Sequence, residues 1–256
     1  MVSNAEFTGH TDPRLQALPT VKIVGRQDYT EDLFKLWLEP SVPFTFKPGQ
    51  YITIGSKDIE RPYSIASSPH EEYIELFIEY VHPEHGGKLT PLLYAQNVGD
   101  TLSMRPRAKG IFLLDENYSD HVLVGTVTGI VPYVSYIRQF LNDKRTGHRF
   151  FVMEGASHFD EFVYDQEFEE LQSNHDFIEF VSTVSRPNDP RNKNWHGSVG
   201  RVNNLVPDNV DRWGLSKQNT MIYLCGNPGM IEDVKDKMGS VGWNYCEERF
   251  WKEEDD

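Results

Sequence analysis

From His121 onward the sequence keeps one rhythm: a short apolar run, a loop carrying glycine, serine or threonine, then an amphipathic stretch of helical period. HVLVG at 121–125 leads to a helical stretch near 131–141, and RFFVME at 149–154 leads to EFVYDQEFEEL at 161–171. FIEFVSTV follows at 177–184, and TMIYLCG at 220–226 leads to PGMIEDVKDKM at 228–238. Apolar strands separated by helices leave few architectures open, because parallel strands need crossover connections and a parallel sheet must be covered on both faces. Such sheets take ligands beyond the carboxyl ends of their strands. Those ends carry GTVTGIVP at 125–132, EGAS at 154–157, VSRP at 184–187 and CGNP at 225–228.

The first part of the chain reads differently. From Val21 to about Leu114 the pattern is strand-like: FKLWL at 34–38, QYITIG at 50–55, and YIELFIEYV at 73–81, where Ile74, Leu76, Ile78 and Tyr80 would share one face. Turn signals at Lys47-Pro48-Gly49, Glu84-His85-Gly86-Gly87 and Val98-Gly99-Asp100 separate the runs. Antiparallel strands closing into a small barrel are the expected result. The polar stretch Asp115–Asp120 is the expected connector. A chain of 256 residues suits two domains, expected at 1–115 (an antiparallel β-barrel) and 116–256 (an α/β parallel-sheet domain).

Composition closes off several functions. A net charge of −14 argues against general nucleic-acid binding. Local basic patches remain open, for example around Arg105, Arg107 and Lys109. Two cysteines, Cys225 and Cys246, are too few for a disulfide framework or a four-cysteine cluster made by this chain. The histidines show no ligand spacing, so no metal is expected, and no nucleophile–histidine–acid pattern of a hydrolase stands out. No apolar run reaches the ~20 residues of a membrane span, and the start lacks the form of a signal peptide. A cytoplasmic monomer is expected.

Individually, the strand-end motifs each admit two readings. GTVTGIVP suits an anion at a helix N-terminus, or a plain tight turn. VSRP offers a hydroxyl and a guanidinium to a phosphate monoester, or is an exposed turn. CGNPGM places a thiol at a strand end, or is a buried core cysteine before a proline-led helix. RPYSIASSP at 61–69 puts arginine, tyrosine and serines where a core strand would carry valines, or is a Pro-Ser-rich turn.

Taken together with PGQY at 48–51, GKLT at 87–90, GRV at 200–202 and ERFW at 248–251, these motifs resemble the ferredoxin–NADP+ reductase family of FAD-containing flavoproteins, most closely its bacterial ferredoxin/flavodoxin–NADP+ reductases. The resemblance spans roughly residues 20 to 251. It implies that Arg61 holds the FAD pyrophosphate, that Tyr63, after Pro62, lies against the isoalloxazine ring, and that Ser64 hydrogen-bonds near flavin N5. Phe77 lines the same site, Lys88, Leu89 and Thr90 open a short helix capping the diphosphate, and Thr126 with Phe250 or Trp251 completes the FAD contacts. NADP(H) lies across the strand ends, with Thr126, Thr128 and Gly129 at its pyrophosphate. Ser157 stands in the adenosine-phosphate segment, Ser185, Arg186 and Arg201 take the 2′-phosphate, and Cys225, Gly226 and Asn227 lie at the nicotinamide side. Ser64, Cys225 and Glu248 are the implied catalytic residues, Glu248 for proton delivery or for tuning the flavin. The carboxyl-terminal tail is expected to return to the flavin.

Three departures matter: Val127 replaces a glycine common in the loop, Ser157 stands where bacterial relatives often place an arginine, and KEEDD follows ERFW. The implied function is hydride exchange between NADP(H) and FAD with single electrons passed to or from a ferredoxin or flavodoxin. An NADH-preferring flavin reductase or oxygenase electron-transfer component is the alternative, as is a non-catalytic FAD-binding subunit or sensor.

Overall fold

The computed structural model describes residues 17–249, and the chain divides into two compact units, one ending at Leu113 and the other beginning at Leu114. The first unit contains strands β1 (Thr20–Asp28), β2 (Leu33–Pro40), β3 (Tyr51–Ser56), β4 (Ile59–Ser64), β5 (Ile74–Glu79) and β6 (Thr101–Met104) and a short helix α1 (Thr90–Tyr94). All strand pairs are antiparallel, in the order β4-β3-β6-β1-β2-β5. The ends of this sheet meet just past β4, where the Ala66 N–H donates to the Glu75 carbonyl at 2.9 Å. The expected barrel therefore forms, filled by Phe34, Leu36, Leu38, Ile52, Ile54 and Leu102.

β5 is not the one-sided strand its alternation suggests, since every residue from Ile74 to Ile78 is buried. Glu75 tolerates this because Lys35 on the neighbouring β2 meets it at 3.0 Å, and both side chains are under 10% exposed. Phe77 stands opposite Lys35 in the β2–β5 register.

The second unit is a parallel sheet in the order β10-β9-β8-β7-β11-β12. Its strands are β7 (Asp120–Thr126), β8 (Arg149–Ala156), β9 (Ile178–Val184), β10 (Ser198–Val199), β11 (Thr220–Gly226) and β12 (Asn244–Arg249). Its helices are α2 (Val131–Asn142), α3 (Asp165–Asn174), α4 (Val202–Arg212) and α5 (Pro228–Met238). Val202, Val206 and Val210 of α4, spaced four apart, pack with Ile231 and Val234 of α5 against Val122, Val124, Phe151 and Met153. On the opposite face Phe140 of α2 meets Phe150 at 4.9 Å, and the Tyr133 hydroxyl reaches the carbonyls of Val124 and Tyr223, each at 2.9 Å. Among the described residues no helix is long and apolar enough to cross a membrane.

At the amino end of this sheet His121 is fully buried, with its Nε2 2.9 Å from His148 Nδ1 and its ring stacked on Phe150. Burial, and then His148, push its imidazole from 6.5 down to about 3. The unfolded chain takes up this proton below pH ~6.5, whereas the folded chain does so only near 3. The stabilising contribution is therefore complete above the unfolded value and falls by ~1.4 kcal/mol per pH unit as the solution is acidified. His121→Phe should flatten the pH dependence of the urea-unfolding free energy between roughly pH 6 and 4. Equal slopes in variant and parent would show that His121 is protonated in the folded chain.

Candidate functional site

The order of the parallel sheet reverses between β7 and β11, and the loops that leave these two strands interlock. A Cβ on Gly129 would lie 2.3 Å from the Cys225 carbonyl oxygen, so only glycine lets the loop after β7 approach the end of β11. Gly226 adopts φ +115, and a Cβ there would strike Thr126 Oγ1 at 2.3 Å. The Thr126 hydroxyl accepts the Asn227 N–H at 2.8 Å, and Asn227 accepts the Met230 N–H as the cap of α5. Thr128 and Gly129 lie in a single 3-10 turn, Val127–Ile130, that runs directly into α2. The first N–H groups of such a run have no partner within the helix, which is the chemistry of an anion cradle.

Val127 has φ +46, a rare backbone state for a β-branched residue and one costing ~1–2 kcal/mol. Its side chain packs against the cluster of Ala156, Phe162 and Val184, contacts that offset the strain. The loop thus keeps the glycine-type backbone while carrying a valine.

Cys225 is fully buried, and burial followed by the neighbouring Glu248 holds its thiol well above the ordinary range. It is a packed thiol, with no nucleophilic form near neutral pH. Glu248 is its partner in the β11–β12 register and is half-buried. Glu154, at the carboxyl end of β8, is fully buried with neither carboxylate oxygen hydrogen-bonded among the described residues. Burial, and then Asp165, raise its pKa well above the carboxylate range, so it sits there as a neutral acid.

At the far side of the sheet the short β10 pairs in parallel with β9, Val199 opposite Val184. The Gly200 N–H donates to the Val184 carbonyl at 2.9 Å. Ser185 and Arg186 follow the end of β9, and Gly200 and Arg201 follow the end of β10, so both arginines leave the ends of these two paired strands. Both arginines are exposed and neither forms an ion pair among the described residues. Ser157 follows the last residue of the neighbouring β8, and the Ser185 N–H donates to the Ala156 carbonyl at 2.9 Å.

Two groups here had no strong sequence signal. His158, Asp160 and Glu161 bring donor atoms within 4.8 Å of one another. Their carboxylates are already engaged: Glu161 accepts the Ser157 N–H at 2.9 Å and meets His158 Nδ1 at 2.8 Å, and Asp160 pairs with Arg191 at 2.7 Å. Asn192 is the second, buried among these loops. Only the Asp-Pro turn before it, an ordinary loop signal, marks its position.

In the first unit, Arg61 and Pro62 are exposed on β4, and the Arg61 guanidinium donates to the Glu60 carbonyl at 2.7 Å. Tyr63 packs against the barrel core, and its phenol pKa is raised mainly by burial. Ser64 lies opposite Tyr51 in the β3–β4 register. Leu89 stands at the N-cap of α1 and is buried, while Thr90 Oγ1 accepts the Val81 N–H at 3.0 Å. Lys88 is exposed and Phe77 is buried. The geometry brings Arg61 to Ser64 together on one strand. Phe250 and Trp251 lie outside the described residues.

The family described as oxidoreductase NAD-binding domain matches residues 123–236. The flavodoxin/ferredoxin–NADP reductase of Buchnera aphidicola subsp. Schizaphis graminum is 26% identical over 225 residues, covering 80% of this chain and 84% of that protein. The reductase component (ferredoxin–NAD(P)+) of the naphthalene 1,2-dioxygenase system of Pseudomonas putida is 27% identical over 213 residues, covering 82% of this chain and 61% of that longer protein. The crystal structure of a ferredoxin NADP+ reductase from Neisseria gonorrhoeae, with bound FAD and NADP, superposes with a TM-score of 0.78 at 22% identity, covering 91% of this chain and 98% of that one. That last likeness shows the shared two-domain fold.

Gly129→Ala places a methyl against the Cys225 carbonyl. It should lower the urea-unfolding free energy by ~1–3 kcal/mol, the usual cost of overpacking. An unchanged midpoint would mean that the two loops do not approach this closely.

Proposed function

We propose that the chain is a FAD-dependent reductase of the ferredoxin–NADP+ reductase family, moving a hydride between NADP(H) and the flavin and exchanging single electrons with a ferredoxin or flavodoxin. The observation that supports the nucleotide half of this reading is the pairing of β9 with β10, whose ends are followed by Arg186 and Arg201, both exposed and without ion-pair partners among the described residues. Two guanidiniums and the Ser185 hydroxyl suit a phosphate monoester, the group that separates NADPH from NADH. The interlocked loops after β7 and β11 suit the pyrophosphate, because glycine at 129 keeps side-chain bulk away from the amides.

The first unit offers matching chemistry for FAD. Arg61 is an exposed guanidinium for a diphosphate, Tyr63 presents a phenol ring with its polar end desolvated, and Ser64 supplies a hydroxyl that both donates and accepts. FAD, when bound, supplies both two-electron and one-electron chemistry, so the protein's task is binding and orientation. Cys225, with its thiol held protonated, contributes bulk and shape, and Glu248 is the carboxyl assigned to hold or pass a proton.

A second reading, an NADH-preferring reductase component, draws on Ser157 in place of a cation and on the carboxylates of Asp160, Glu161 and Asp189 nearby. Steady-state reduction of an artificial acceptor separates the two. Arg186→Ala and Arg201→Ala should each lower kcat/KM for NADPH roughly tenfold, the loss of one charge-assisted contact, while the value for NADH stays within about twofold. Equal losses for both nucleotides, or none, would reject the 2′-phosphate assignment.

A further inference from the structure

Between the strand ends of β8 and β9, one buried side chain ties together the two loops that carry Ser157 and Arg186. Asn192 is 3% exposed. Its Nδ2 donates to the Ser157 carbonyl at 2.9 Å and to the Arg186 carbonyl at 2.8 Å, and its Oδ1 accepts the Phe159 N–H at 2.8 Å. Two carbonyls on one side and an N–H on the other fix the amide's orientation. Its backbone is committed as well: the N–H donates to the Asp189 carbonyl at 2.8 Å, and the carbonyl accepts the Trp195 N–H at 2.9 Å.

The outer rim repeats the link with charge. Arg191 meets Asp160 in a two-pronged pair at 3.2 and 2.7 Å, and His158 Nε2 lies 3.4 Å from Asp189 Oδ2. Residues 157–161 and 186–192 are therefore cross-linked three times, once through a buried and saturated amide. An amide with every hydrogen-bonding group used on backbone of two separate loops leaves each loop one arrangement. The backbone it holds belongs to Ser157 and Arg186 themselves.

We propose that Asn192 is a positioning residue for nucleotide choice: it fixes the backbone under Ser157 and Arg186 so that the Arg186 guanidinium meets a 2′-phosphate. The proposal rests on the assignment of Arg186 to that phosphate. Removing the cross-link lets the two loops separate, which weakens binding of a 2′-phosphorylated adenosine and leaves an unphosphorylated one largely unaffected.

Titration calorimetry with 2′,5′-ADP and with 5′-AMP on the FAD-loaded full chain tests this without any hydride chemistry. Asn192→Asp keeps the shape but turns a carboxylate oxygen toward the two carbonyls that the amide had served. The Kd for 2′,5′-ADP should rise roughly tenfold, the scale of one or two lost buried hydrogen bonds, and that for 5′-AMP should change less than about twofold. Should this variant fail to fold, Arg191→Met, which removes only the exposed pair, is expected to act in the same direction with a smaller change. Equal weakening of both ligands in a folded variant would assign Asn192 a purely structural role and overturn the proposal, as would no change in either. Arg186→Ala separates the two levels. If it weakens 2′,5′-ADP while the Asn192 and Arg191 variants do not, the positioning role fails and the phosphate assignment stands. If it leaves 2′,5′-ADP unaffected, both fall.

Discussion

The close approach of Gly129 to the Cys225 carbonyl is the contact on which the second unit's site depends. It joins the loop after β7 to the end of β11 across the point where the strand order reverses, the place where an open parallel sheet has a natural crevice. The rest of the crevice follows from it. Thr126 can then accept the Asn227 N–H, Gly226 must take a positive φ, and α5 starts at the capped Asn227. Val127 takes a left-handed conformation in the same turn, and its packing against the cluster of Ala156, Phe162 and Val184 offsets a backbone that valine alone would not choose.

Buried ionisable groups in this chain are handled in two ways, and both bear on its chemistry. Lys35 and Glu75, on the faces of β2 and β5 that turn away from the barrel core, meet each other at 3.0 Å. Cys225 and Glu154 instead stay protonated, because no counter-charge meets them in the sheet. Cys225, buried at the end of β11 with its thiol pushed up by burial, is placed to shape the site rather than to attack. That arrangement agrees with chemistry carried by a redox cofactor.

The large divisions of the fold are legible in the sequence because they rest on periodicity. The antiparallel barrel, the parallel sheet and three of its four helices follow from apolar spacing and glycine-bearing turns. α4 escapes because Pro207 and five asparagine or aspartate side chains mask the valines at 202, 206 and 210, which only tertiary packing makes into a face. β10 is two residues long and β12 is mostly polar, so neither has a pattern to read. β5 misleads in the opposite sense, since its second face, Glu75 and Phe77, is buried too, with Glu75 paired to Lys35 of another strand. At the site, the strand-end motifs are visible as residue types. Asn192 is not, since its role comes from backbone groups 33 and 35 residues earlier.

The central claim is that this chain passes electrons between NADP(H) and bound FAD and selects NADPH through a phosphate site on the rim of the second unit. Anaerobic stopped-flow mixing of the FAD-loaded protein with NADPH, and separately with NADH, tests it most directly. Rapid bleaching of the flavin band by NADPH with much slower bleaching by NADH is the predicted result. Equal or inverted rates, or a flavin that neither nucleotide reduces, would contradict the account.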